Sequence, residues 1–145
     1  MKVEIFTLCE YANADPNGGK LNIVGTFDHV AGVQTPIVFP LCAVAIRMRF
    51  GLVENGAKKL RLSFIDADGA PVMPIIELPL NVQISPGEST STVPCVVIMQ
   101  QIKLPHFGEY SISLAIDTHE AGSIPLIAKQ IQAPPDHPKR LPQAI

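Results

Sequence analysis

The sequence contains no tryptophan and only two tyrosines, Tyr11 and Tyr110. That leaves no aromatic platform on which sugars or bases would stack. Charge is sparse as well: Asp, Glu, Lys and Arg make up 17% of the 145 residues, against 47% hydrophobic, and the formal net charge is −2. Such a balance excludes a highly solvated, disordered chain. It supplies no basic stripe to neutralise phosphates, so nucleic acid is not an expected partner. Lys58, Lys59 and Arg61, and likewise Arg47 and Arg49, are short alternating sets that fit the solvated faces of two strands better than an anion site.

Cysteine is scarce, odd in number and widely spaced: Cys9, Cys42 and Cys95. Without a C-x-x-C pair, neither a zinc site nor a thioredoxin-type motif is expected. Each lies among apolar residues, as free thiols in cores do, and three reduced thiols suit a cytoplasmic location. No apolar run approaches the length of a membrane span, so no membrane association is expected. The N-terminal stretch is interrupted by Glu4 and Glu10, and Leu8 stands before Cys9 where a lipoprotein signal needs a small residue, so no targeting signal is expected.

Motifs of chemistry are missing too. There is no G-x-S-x-G, no glycine-rich phosphate loop and no H-E-x-x-H. The four histidines, His29, His106, His119 and His137, lack metal-site spacing. Asp66-Ala67-Asp68-Gly69 puts its glycine fourth, where a calcium loop of the EF-hand type puts it sixth, so a turn is the expectation. No catalytic, cofactor-binding or metal-binding residue is assigned on this basis, and the chain is expected not to be an enzyme.

What is present is punctuation. Fourteen prolines and ten glycines separate short apolar runs, the pattern of an all-β protein. Strands are expected over Lys2–Tyr11, Leu21–Val30, Leu41–Phe50, Lys59–Ile65, Ile76–Ile84, Val93–Leu104, Tyr110–Ile116 and Ser123–Gln132, about eight in all. In the first, Phe6 and Leu8 share one face and Val3, Ile5, Cys9 and Tyr11 the other. Gly25 interrupts the second, as at a bulge or a close approach. Ala31–Pro40 is long enough to cross between sheets. Glu54-Asn55-Gly56 suggests that Leu41–Phe50 and Lys59–Ile65 form a hairpin. Pro79 has no donor for a ladder and marks Ile76–Ile84 as an edge. Val93–Leu104 is apolar on both faces, so it is either central or bent, with Gln100–Gln101 the place for a bend. The sandwich domain is expected to span 1–132, and Ala133–Ile145, with four prolines, to form a Pro-rich C-terminal tail whose Pro135 and Pro138 fit P-x-x-P.

Leu104–Asp117 organises the rest. A proline entry leads to Gly108-Glu109-Tyr110, after which Tyr110, Ile112, Leu114 and Ile116 alternate with Ser111, Ser113 and Ala115. The glycine and tyrosine before an alternating strand resemble the tyrosine corner of immunoglobulin-like sandwiches, in which the hydroxyl caps backbone a few residues upstream. Ile112 stands where an antibody-type domain has its second cysteine, so the resemblance is to the corner. Over about residues 1 to 130, the blocks KVEIFTLCEYA, GKLNIVGTFDHV, FPLCAVAIRMRF, IDADGAPV and LPHFGEYSISLAID resemble a family of small uncharacterised bacterial proteins, a domain of unknown function. The resemblance implies a bacterial, cytoplasmic, immunoglobulin-like antiparallel β-sandwich with Greek-key connections, and it brings no site residues or cofactors.

Two functions of different classes follow. The first is a non-catalytic protein–protein interaction or structural module, acting as a homo-oligomer or with an unidentified protein partner. Its surfaces would be strand faces small enough for close approach: Ser111, Ser113 and Ala115, or Ala43 and Ala45. The alternative is a small-ligand or metal-binding sandwich whose loops bring His106, Asp117, His119 and Glu120 together at one end.

Overall fold

The structure, a computed structural model, describes residues 1–17 and 19–133. The Pro-rich tail, with Pro135, His137 and Pro138, lies outside the described residues from position 134 onward. Among the described residues, nine strands form two sheets: β1 (Lys2–Ala14), β2 (Leu21–Thr26), β3 (His29–Gly32), β4 (Ile37–Gly51), β5 (Gly56–Asp66), β6 (Ile76–Val82), β7 (Thr90–Leu104), β8 (Gly108–Ile116) and β9 (His119–Gln130). The four-stranded sheet has the order β2-β1-β4-β7 and the five-stranded sheet β3-β9-β8-β5-β6. The chain is thus all-β and folded as a sandwich. Its alternating apolar residues meet between the layers: Ile46, Met48 and Phe50 on β4, Leu60, Leu62 and Phe64 on β5, and Ile112 and Leu114 on β8 are each at most 2% exposed. Facing sheets bury the inner side of their strands, which is what a period of two requires.

Several expectations hold in detail. β8 is the middle strand of its sheet, and β6, with Pro79, is an edge. Pro79 stands opposite Lys59, and its missing N–H is no loss on the side that has no neighbour. The β4–β7 ladder skips the pair Pro40–Gln101, where Gln101 takes φ 54°, so the break falls at the glutamine pair.

Other expectations are corrected. The ninth strand arises because Leu21–Val30 is two strands: β2 stays with β1, while β3 joins the other sheet, parallel to β9. The chain crosses between them at Phe27-Asp28, with Gly25 at φ 68° providing the bend, and crosses back between β3 and β4 within Ala31–Pro40, the segment expected to change sheets. Leu41–Phe50 and Lys59–Ile65 are not a hairpin. A short 3-10 turn, Leu52–Glu54, carries the chain from one sheet to the other, so β4 pairs with β1 and β7 while β5 pairs with β6 and β8. β7 is neither central nor bent into the second sheet; it is the edge of the four-stranded sheet. In β1 the pairing register shifts between Val3 and Ile5. That bulge at Glu4 inverts the alternation, so Val3 joins Phe6 and Leu8 in the core rather than sharing a face with Ile5.

Candidate functional site

Of the two small-residue faces, one is already covered. Ala43 and Ala45 on β4 are 2% and 0% exposed. With Cys9 and Ala12 they form a second buried cluster, against which Leu21, Ile23 and Val96 pack. Ala12 pairs with Ile23 and Ala14 with Leu21, so the β1–β2 hairpin supplies the cover, and β2 touches β4 without being paired to it. The alanines have the size this close approach needs; their expected role as a free surface is overturned, because the hairpin occupies it.

The face of the five-stranded sheet is different. Ser111, Ser113 and Ala115 remain half-buried, and no element of the described residues lies over them. The ladders align them in rows: Ile65–Ser111–Pro125, then Ser63–Ser113–Ser123. Two hollows lie along β8. One, of about 630 Å³, reaches from Ser111 and Ser123 to Asp68 and Ile127; the other, of about 350 Å³, reaches from Ser113 and Ala115 to Arg61 and Ile75. Short side chains on the central strand and longer ones on its neighbours make a trough. Ile75, Ile127 and Pro125 leave apolar surface along its walls. At one end stands Asp68; at the other, Lys59 and Arg61 share Glu77 at 3.3 and 3.2 Å. These ion pairs are exposed, so they fix side-chain positions more than they stabilise the fold.

The residues expected for a loop site do not gather. His106 precedes β8, and Asp117, His119 and Glu120 follow it at the opposite end. Asp117, at φ 55°, accepts the Lys59 backbone N–H at 2.9 Å and shapes the β8–β9 turn. No group of three or more His, Cys, Asp or Glu side chains is placed to hold a metal ion among the described residues.

His106 instead meets a residue sequence reasoning had assigned only to a turn. Its Nε2 lies 3.2 Å from Asp66 Oδ2, and its ring stacks on Tyr110 with centroids 6.4 Å apart. Asp66 is 9% exposed and accepts the backbone N–H groups of Asp68 and Ala70, both at 2.9 Å. Gly69 at φ 84° completes that turn, as expected in place of a calcium loop. The Tyr110 hydroxyl donates to the His106 carbonyl at 2.8 Å and accepts the His106 N–H at 3.1 Å, the corner geometry anticipated from Gly108-Glu109-Tyr110. Asp66 and Tyr110 pair across β5 and β8, so the cluster pins two loops to one end of the trough. The only sequence signal for the Asp66–His106 contact was that both are polar residues at strand ends.

The N–H of Ala70 and then His106 hold the Asp66 carboxyl below its ordinary value of 3.8. A carboxyl depressed on folding contributes stability above its unfolded pKa and loses it as pH falls through the lower folded value. Asp66→Asn keeps an oxygen for the two N–H groups but loses the charge facing His106. Acid unfolding monitored by circular dichroism is therefore expected to be less steep below about pH 4 in Asp66→Asn than in wild type. Identical acid profiles would remove Asp66 from the pH dependence.

Glu4 is another depressed carboxyl, held down first by Arg49 and then Arg47, each with its Nε 3.1 Å from a Glu4 oxygen. The two arginines are thus answered by an acid on the neighbouring strand, in keeping with a solvated strand face. All three cysteines are free. Burial pushes the Cys42 thiol up to about 11 and raises Cys9 and Cys95 as well, which disfavours the reactive thiolate.

A family model described as a family of unknown function, DUF6941, matches residues 4–129. No curated protein matches the chain. No helix among the described residues is long and apolar enough to cross a membrane.

Proposed function

We propose, for a chain that belongs to the DUF6941 family of unknown function, a non-catalytic interaction module that joins a second copy of itself through the outer face of the five-stranded sheet. One observation carries this reading. Of the two small-residue faces, the Ala43/Ala45 face is filled by the chain's own hairpin, while the Ser111/Ser113/Ala115 face is left half-exposed. Side chains this small let two sheets approach to the roughly 10 Å of face-to-face packing. Charge supports a second copy as the occupant. A two-fold axis across the strands, through the row Ser63–Ser113–Ser123, sets the Asp68 end of one face over the Lys59 end of the other. Such an isologous contact is self-complementary. The unpaired thiols support a cytoplasmic location for this assembly.

Light scattering on purified protein tests the reading. Wild type is expected to be a dimer. Ser113→Arg, which fills the trough with an outward-pointing charge, is expected to be a folded monomer with an unchanged circular dichroism spectrum. Asp68→Lys should weaken the dimer, and Asp68→Lys with Lys59→Glu should restore it. A wild-type monomer at the highest soluble concentration would sink the proposal, as would a Ser113→Arg dimer of undiminished affinity.

A further inference from the structure

A further recess with apolar walls lies where β2 leaves one sheet and β3 joins the other. There Phe27, Val30, Phe39 and Leu41 line a hollow of about 490 Å³, with Glu10 and His29 at its polar margin. That volume falls within the range of small-ligand pockets, which combine apolar walls with a few placed polar groups. Phe27 and Phe39 are half-buried, with ring centroids 6.0 Å apart and planes inclined by 33°. Leu41 is 51% exposed.

The polar groups at the margin are not equivalent. His29 is already engaged, its Nδ1 2.9 Å from the carboxylate of Asp28, which also feels the charge of Lys129. Glu10 takes part in none of the ion pairs formed among the described residues. Its side chain is exposed and runs toward the neighbouring strand. It lies across Gly25 on the neighbouring strand, where an added Cβ would come within 2.9 Å of Glu10 Cδ. Gly25 therefore does two things: at φ 68° it bends the strand, and by lacking a side chain it makes the bed for this carboxylate. A carboxylate without an ion pair among the described residues, lining the same hollow as two aromatic rings, is the chemistry that receives an organic cation, through charge on one side and the rings on the other.

We propose that the hollow between Glu10, Phe27, Phe39 and Leu41 is a binding site for a small organic cation: a primary ammonium or guanidinium group carried on an apolar or aromatic body. The cation meets Glu10 and the body packs on the phenylalanines. The hollow shares no lining residue with the two hollows along β8, so shifts at its own residues are read apart from the dimer proposed there.

Benzylammonium, benzyl alcohol and benzoate, titrated into the full chain and followed by NMR, test this directly. Benzylammonium is expected to bind saturably and weakly, shifting the resonances of Phe27, Val30, Phe39 and Leu41. Glu10→Gln, an exposed change that leaves the fold intact, is expected to weaken it roughly tenfold, the value of one lost charge-assisted contact. Benzoate is expected not to bind. The proposal is overturned if benzylammonium shows no saturable shift, if the shifts map elsewhere, or if benzyl alcohol binds as tightly. It is equally overturned if Glu10→Gln binds benzylammonium as wild type does. A Phe39→Leu variant with a wild-type spectrum provides the second check: it keeps the carboxylate but is expected to lose benzylammonium affinity through the missing ring.

Discussion

Phe64→Ala is expected to destabilise the protein by about 3–5 kcal/mol, the cost of emptying a well-packed aromatic site. Phe64 is 2% exposed and lies on β5, opposite Ile112 on β8. Its ring meets Tyr110 edge to face, with centroids 6.1 Å apart, an arrangement that contributes beyond area burial alone. The site cannot collapse easily to fill the void, because β5 is held by ladders on both sides, to β6 and to β8. For a domain of this size the loss corresponds to a fall in Tm on the order of 10 °C. Urea denaturation followed by circular dichroism measures it. A loss below about 1.5 kcal/mol, the range of a volume-conserving swap, would mean that the neighbouring side chains repack into the space.

The sequence pattern was most informative where a structural feature depends on neighbouring residues alone. Tyr110, Ile112, Leu114 and Ile116 alternate without interruption, and they form the inner face of the central strand. Pro79 marked an edge because a missing donor is a local property. Gly108 and Tyr110 marked the corner, whose partner is only four residues away. What local pattern could not supply was the choice between distant partners. The turn signal at Asn55-Gly56 is real, yet the residues before it make a 3-10 turn that changes sheets, and a hairpin and a crossover begin with the same local chemistry. The alternation of Val3 failed because one inserted residue, Glu4, reverses the faces, and its reason lies on another strand: its carboxylate is drawn to Arg47 and Arg49. The candidate surfaces show the same limit. Ala43 and Ala45 look as free as Ser111 and Ser113 in sequence, and only the path of the β1–β2 hairpin distinguishes them. Asp66 and His106 are separated by forty residues, and nothing local announces their contact.

Tyr110→Phe is expected to cost about 1–3 kcal/mol, the net contribution of two hydrogen bonds at roughly 0.5–1.5 kcal/mol each. The substitution keeps the ring, which is 3% exposed and packed on Phe64, so the loss isolates the hydroxyl. That oxygen serves the carbonyl and the N–H of the same residue, His106, and thereby closes the segment between β7 and β8. Without it, the His106 backbone must find water, and the imidazole stacked on the ring loses the anchor that holds it 3.2 Å from Asp66. Faster amide exchange is therefore expected at His106 and, through Asp66, at Asp68 and Ala70, whose N–H groups that carboxylate accepts. A double-mutant cycle with Asp66→Asn separates the two links. If the hydroxyl acts by placing His106 against Asp66, the two losses are less than additive; if it acts only on the loop backbone, they add. Additive losses with unchanged exchange at Ala70 would confine the corner to its own loop. Coupled losses would make Tyr110 the residue through which the β5–β6 and β7–β8 loops are held as one wall at the acidic end of the trough.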